Sequence, residues 1–126
     1  MIMSESELPI GIEFEDNIVL DAFLDRVAAP LIIEEMKSRF PIEGRAALLR
    51  GEMKITLGLG RGNVKATKEV KRGDIAYMPL GDSLCIYMKD MTTFSPVNVL
   101  GHVISEENLD ELENVRRGSK ATIRPK

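Results

Sequence analysis

The sequence predicts a mainly β protein, a closed antiparallel β-barrel with two α-helices covering its ends or flank. Three observations lead there. Apolar and polar residues alternate in segment after segment, separated by glycine- and aspartate-rich turns, the mark of many short antiparallel strands. Only two stretches carry helical spacing instead, and closing the sheet on itself removes its exposed edges. Finally, a chain of 126 residues is the size of one domain, able to bury roughly 65–70% of its unfolded surface without disulfides. That domain is expected over residues 9–126, with residues 1–8 as a disordered tail.

From residue 9, Ile10, Ile12 and Phe14 alternate with Gly11 and Glu13, the period of a strand with one buried face. A turn at Glu15, Asp16 and Asn17 leads to a hairpin partner over residues 18–23. After Asp25 the period changes: Ala28, Ile32, Met36 and Phe40 recur at every fourth position, which predicts an amphipathic helix over residues 28–40. Pro30 suits its first turn and Pro41 stops it. In residues 46–59, Leu49, Met53, Ile55, Leu57 and Leu59 alternate with Arg50, Glu52, Lys54 and Thr56, as one long strand or two shorter ones. Residues 58–63 read as a mobile hairpin turn rather than a phosphate-binding glycine loop, because a strand pattern over residues 64–70 follows, not a helix.

Beyond a turn at Lys71, Arg72, Gly73 and Asp74, two buried strands are expected over residues 75–78 and 84–88. A polar loop over residues 89–96 then leads to a strand over residues 97–104. Ser105 is expected to cap a second helix over residues 106–115, with Glu106 and Glu107 favouring its dipole and Leu109, Leu112 and Val115 as its buried stripe. Arg116 and Arg117 close that helix, Gly118 serves as a left-handed cap, and residues 121–124 form the last strand.

Composition narrows the function classes. Seventeen Lys and Arg against 20 Asp and Glu give a net charge of -3, which argues against a nucleic-acid binder held by phosphate contacts. Cys85 is the single cysteine, so no intramolecular disulfide and no multi-cysteine zinc site can form. The most apolar stretch, residues 18–36, is broken by Asp21, Asp25, Arg26 and Pro30, so it reads as core and not as a membrane span. The first residues carry no basic and apolar leader pattern, and the expected address is the cytoplasm. No metal and no cofactor are expected.

The block Gly73-Asp74-Ile75-Ala76-Tyr77-Met78-Pro79-Leu80-Gly81-Asp82-Ser83-Leu84-Cys85-Ile86-Tyr87, followed by Ser95-Pro96-Val97-Asn98-Val99-Leu100-Gly101, resembles the signature of the small prokaryotic cyclophilin-like family, whose members are generally of unassigned function. Arg50-Gly51-Glu52 is similar to that family's Gly-Glu start of a strand, and the resemblance spans residues 10–124. It implies a cyclophilin-like fold, more distantly related to the true cyclophilins. Those isomerases set an arginine beside the prolyl amide, whose rotation barrier is about 18–20 kcal/mol. They line the proline pocket with Phe, Met, Leu, Gln, Trp and His. This chain has no Trp, and its one His, His102, lies a few residues beyond the pocket position, where Val97 stands. The resemblance aligns the cyclophilin arginine near Ala47, with Arg45 and Arg50 as nearby substitutes, and the pocket Phe near Ile86.

Nine residues are candidates for a binding groove: Arg50, Glu52, Tyr77, Met78, Pro79, Asp82, Tyr87, Phe94 and Asn98. Arg50 and Glu52, two apart, would share one strand face at a groove rim. Tyr77, Met78 and Pro79 would line an apolar floor with Tyr87 and Phe94. Asn98 interrupts an apolar strand, where its amide either meets a ligand or satisfies neighbouring backbone. Solvated surface for the charges and simple core packing for Met78 and Ile86 are the competing readings. Cys85, without a local base, is expected to be a buried structural thiol. His102, with no partner at metal-ligand spacing, is expected to be a surface or hydrogen-bonded histidine. The function expected is a non-catalytic or weakly active module that binds a peptide or small molecule in the groove. The alternatives are a divergent peptidyl-prolyl isomerase using Arg45 or Arg50, and a domain that reads a protein partner through the groove rim or a sheet edge.

Overall fold

A computed structural model describes residues 6–126. Nine strands and two helices follow one another as β1 (Glu7–Phe14), β2 (Ile18–Asp25), α1 (Pro30–Arg39), β3 (Ile42–Leu49), β4 (Glu52–Thr56), β5 (Thr67–Val70), β6 (Asp74–Met78), β7 (Ser83–Tyr87), β8 (Met91–Val103), a 3₁₀ helix (Glu106–Asn114) and β9 (Lys120–Pro125). All pairings are antiparallel, in the order β2-β1-β9-β3-β4-β7-β6-β8-β5. A further pairing of β2 with β8 joins the two ends, so eight strands form a hydrogen-bonded ring and β5 lies outside it.

The ring follows from the alternation read in the sequence. Ile10, Ile12 and Phe14 of β1, Leu20, Ala22 and Leu24 of β2, and Ile75, Tyr77, Leu84 and Ile86 of β6 and β7 point into one core. α1 adds Ile32, Ile33 and Met36, with Pro30 in its first turn. β6 and β7 are buried on both faces. Their outward residues Ala76, Met78, Cys85 and Tyr87 form a second, smaller core with Val70 of β5 and Val97 of β8. That covering layer is why these two strands read as continuous apolar runs.

Several expectations are corrected. β1 starts at Glu7 and Leu8 is buried, so residues 7 and 8, expected in the tail, belong to the sheet; residues 1–5 lie outside the described residues. Of the two readings of residues 46–59, two shorter strands hold, and only the shared face of Arg50 and Glu52 fails: Leu49 pairs with Glu52 across a two-residue turn, with Arg50 at φ 51° and Gly51 at φ 82°. Two successive positive φ angles twist the chain as a tight hairpin needs. Arg50 therefore sits in the turn and shares no strand face with Glu52. Residues 58–63 close no hairpin, since β4 pairs with β3 and β7 while β5 pairs with β8. The supposed polar loop over residues 89–96 belongs mostly to β8, whose alternately buried Thr93 and Ser95 are polar and so masked the strand.

The second helix is 3₁₀ rather than α. Leu109, Leu112 and Val115 are buried at a spacing of three, the period of the tighter helix. Ser105 does not cap it; its Oγ instead accepts the Asp21 N–H at 2.9 Å. The helix ends at Asn114 with no basic residue in its last turn, so Arg116 and Arg117 lie beyond it. Gly118, at φ +88°, serves the following turn rather than the helix end.

Ring closure depends on Gly101. It pairs with Leu24 of β2 on one side and Ile75 of β6 on the other, next to a register shift that leaves Leu100 as an extra residue. A Cβ there would stand 1.9 Å from the Phe23 carbonyl oxygen, and a backbone atom in a sheet has little freedom to retreat. Gly101→Ala is expected to lower the thermal midpoint by roughly 10 °C or more. In calorimetry Gly62→Ala, where an added Cβ meets nothing within 4 Å, should leave the midpoint nearly unchanged. Equal midpoints for the two variants would show that β2 and β8 do not need this close approach.

Candidate functional site

The nine candidate residues separate into distinct environments. Glu52, Met78 and Tyr87 are buried on the outer flank of the ring. Glu52 stands opposite Tyr87 across the β4–β7 pair, and its carboxylate meets Lys54 Nζ at 3.4 Å. Burial, then the Cys85 and Glu52 groups, push the Tyr87 hydroxyl far above its ordinary pKa. Burial first, then the Glu52 charge, pushes the Cys85 thiol up to about 12. A thiol so raised stays protonated at neutral pH and is no nucleophile. Arg50 and Phe94 are exposed, Phe94 to 91%, and Pro79 is half-buried in the β6–β7 turn.

Tyr77, Asp82 and Asn98 share another task. They hold residues 57–66, the segment that joins β4 to β5. The Tyr77 side chain belongs to the main core, and its hydroxyl donates to Asp82 Oδ1 at 2.6 Å. Asp82 Oδ1 and Oδ2 accept the N–H groups of Leu59 and Gly60 at 2.9 and 3.0 Å. Asn98 Oδ1 accepts the N–H groups of Val64 and Lys65 at 2.8 and 3.0 Å, while its Nδ2 donates to Asn63 Oδ1 at 3.1 Å. From the far side, Glu35 of α1 accepts hydrogen bonds from Arg39 Nε at 2.8 Å and Arg61 Nη2 at 2.7 Å, and Arg39 Nη1 donates to Gly58 O at 2.9 Å. Leu59 is buried between these ties. The glycine-rich segment is thus clamped from α1, the β6–β7 turn and β8, which replaces the expectation of a mobile turn.

The clamped segment walls a hollow of about 480 Å³, a size typical of small-molecule sites. Asp25 at the end of β2 with Val27 and Ala28 of the following turn form one side, Lys65, Ala66 and Thr67 another, and Val99 of β8 contributes apolar surface. Asp25 Oδ1 accepts the Val27 N–H at 2.9 Å, which fixes the turn and leaves Val27 exposed. Lys65 makes no ion pair among the described residues. None of the nine candidates lines this hollow, although Asn98 fixes one of its walls. No spacing pattern marks the lining residues, because a turn and a loop meet only through the ring closure. His102, half-buried, lies with Nδ1 3.3 Å from Asp74 Oδ1 and Nε2 3.5 Å from Glu106 Oε2, as a hydrogen-bonded histidine. No group of metal-ligating side chains occurs among the described residues.

Comparison with known proteins agrees with this architecture. A family described as cyclophilin-like matches residues 8–124. No curated protein matches the chain. The solution structure of a hypothetical protein from Archaeoglobus fulgidus is similar at a TM-score of 0.82 and 21% identity, with 100% of both chains covered. The structure of McbB in complex with tryptophan is similar at a TM-score of 0.75 and 17% identity, over 93% of this chain and 44% of McbB. This chain thus spans less than half of McbB, and both likenesses are of fold.

Two outcomes test the site's electrostatics. Hydrogen bonds from Arg61 and then Arg39 hold the Glu35 carboxyl below its ordinary value of 4.5, against the opposing effect of burial. A depressed folded pKa means that this tie is present above the unfolded value and lost as pH falls through the folded one. Below about pH 4.5, backbone order parameters of residues 58–61 should therefore fall before those of the ring strands, and Glu35→Gln should show the same loosening at neutral pH. Rigid residues 58–61 in that variant would remove Glu35 from the clamp. Cys85, for its part, should resist an aromatic disulfide reagent at pH 8 in the folded protein and react only at the rate of unfolding; a fast native reaction would contradict its burial.

Proposed function

The chain belongs to the cyclophilin-like family, and from that premise we propose that it is a binding module whose ligand, a small zwitterion or the end of a peptide, occupies the hollow between the β2–α1 turn and residues 65–67. One observation carries this reading: the hollow brings a carboxylate, Asp25, and an ammonium group, Lys65, to a site lined by Val27, Ala28, Ala66 and Val99. An amino acid or peptide terminus offers the complementary charges and an apolar side chain. The walls are held before any ligand arrives, so little ordering cost falls on binding. McbB, solved with tryptophan, shares the fold and binds a molecule of this class; the weight rests on the hollow itself.

Binding is favoured over turnover because the hollow offers one carboxylate, one ammonium and one hydroxyl as its side-chain polar groups, and no thiol or imidazole. The isomerase alternative would rest on Arg45 or Arg50. Arg45 Nη1 donates to Gly118 O at 3.2 Å, and Arg50 stands on the β3–β4 turn, so neither lines this hollow.

An amide NMR titration with tryptophan and with Ala-Pro peptides tests the reading. Saturable shifts are expected together at Val27, Ala28, Lys65, Ala66 and Val99, and Lys65→Ala should weaken binding about five- to tenfold. Cis/trans exchange of the Ala-Pro bond should not be accelerated. Shifts gathered instead around Arg50, Glu52 and Tyr87 would move the site to the outer flank. Exchange catalysis abolished by Arg45→Ala or Arg50→Ala would replace binding with isomerisation.

A further inference from the structure

A second hollow, of about 490 Å³, opens where the β1–β2 turn meets the segment before β9, and Glu15, Asp16, Arg116, Arg117, Gly118 and Ser119 line it. β2 runs from this end to the first hollow: the turn before Ile18 borders one and Asp25 the other. At ~3.3 Å per residue the two are separated by the length of a strand, roughly 25 Å, so they are different sites.

One oxygen of each acidic group here is engaged by the turn itself. Glu15 Oε1 accepts the Lys120 N–H at 2.9 Å. Asp16 Oδ2 accepts the Arg116 N–H and the Ser119 hydroxyl, both at 3.2 Å, while its Oδ1 is buried without a hydrogen-bond partner. The cations are not matched in the same way. The guanidinium groups of Arg116 and Arg117 are exposed and make no hydrogen bond or ion pair with any described residue. Arg45 reaches the same turn through Gly118 O, whereas Lys120, opposite Arg45 across β3 and β9, turns to Glu43 at 4.0 Å. Two guanidinium groups without an ion-pair partner therefore line the hollow, in a chain whose net charge is -3.

The turn itself is rigidly set. The Gly118 N–H donates to Ala46 O at 2.7 Å, the Ala46 N–H donates to Ser119 O at 2.8 Å, and the Ser119 N–H closes onto Arg116 O at 3.0 Å. Gly118 takes φ +88°, which a side chain would resist. The two arginines lie past the end of the 3₁₀ helix, so they do not serve its carbonyl end, the role their sequence position suggested. Guanidinium groups recognise carboxylate and phosphate oxygens through paired N–H donors, and two on one fixed turn can grip one anion from two directions.

We infer that this hollow binds a small oxyanion, a phosphate or carboxylate group carried on a polar molecule, through Arg116 and Arg117. An amide NMR titration of the full chain with inorganic phosphate, and separately with succinate, at ionic strength balanced by chloride, tests it. Saturable shifts are expected at Gly118, Ser119 and the side-chain Nε–H groups of Arg116 and Arg117. Arg117→Ala should weaken binding about tenfold, Arg117→Lys should restore part of it, and Arg50→Ala, on a distant exposed turn, should change nothing. Saturation with only one of the two anions would identify the recognised group as phosphate or carboxylate. Linear shifts with both anions up to high millimolar concentration, or equal weakening by Arg50→Ala and Arg117→Ala, would overturn the inference. The proposed zwitterion site stands or falls separately, because its reporter amides lie at the other end of β2.

Discussion

The approach of β8 to β2 at Gly101 is the contact on which the rest of the architecture depends. Three residue pairs join these strands, and without them the sheet would be an open sequence of strands with two exposed edges. Closure forces the β8 backbone against the Phe23 carbonyl, a distance that leaves no room for a side chain. The neighbouring register shift adds Leu100, which is fully buried in the main core. A single residue without a Cβ thus lets one strand pair with β2 and β6 at the same level, and both the enclosed core and the walls of the first hollow follow from that geometry.

Length does the rest in β8. Its later half completes the ring, while its earlier half runs past the ring edge and pairs with β5. Together these cover the outer flank of β6 and β7. Asn98 lies where the two halves meet, nearly fully buried, and its amide satisfies three polar partners of the segment leading into β5. Burying an unpaired amide is costly, so an asparagine in an apolar strand fixes whatever backbone comes to it. The same reasoning covers Asp82, which accepts two N–H groups and the Tyr77 hydroxyl. Polar side chains of the scaffold are spent on holding a loop, and the loop is what forms the hollow.

How much of this could be read beforehand depends on the range of the interaction. The alternation of Ile10, Ile12 and Phe14, the four-residue recurrence through Ile32 and Met36, and the doubly apolar β6 and β7 are local patterns, and each marks its element correctly. The helix near Leu109 shows the limit: a spacing of three fits both an α-helical stripe and a 3₁₀ helix, and the difference emerges only in the bonding. Arg50 failed because Leu49 is apolar yet exposed: across the two-residue turn Leu49 shares a face with Glu52 and Leu48 with Met53, so the core face passes from even to odd positions, and Leu49 hid that switch. Tyr77, Asp82 and Asn98 were noticeable as polar or aromatic groups within an apolar block. Their partners, residues 59–65, are distant in sequence, so chemistry alone suggested a ligand where the structure supplies backbone. The lining of the hollow had no local signature at all.

The buried flank also explains why chemistry, if it is to occur, belongs at the ends of the ring. Glu52, Cys85 and Tyr87 are the kinds of groups that catalysis uses, and they are neighbours on β4 and β7. Yet β5 and the start of β8 cover that flank, and burial drives the thiol and the phenol toward their neutral forms. A covered, protonated thiol beside a carboxylate has neither the charge nor the access a nucleophile needs. At the two ends, by contrast, Asp25 and Lys65, and Arg116 and Arg117, are carried on turns whose backbones are already hydrogen-bonded. Their charge can therefore be directed outward at no further cost in ordering the chain. The fold thus keeps the thiol and the phenol covered on its flank and leaves Lys65, Arg116 and Arg117 exposed at its ends.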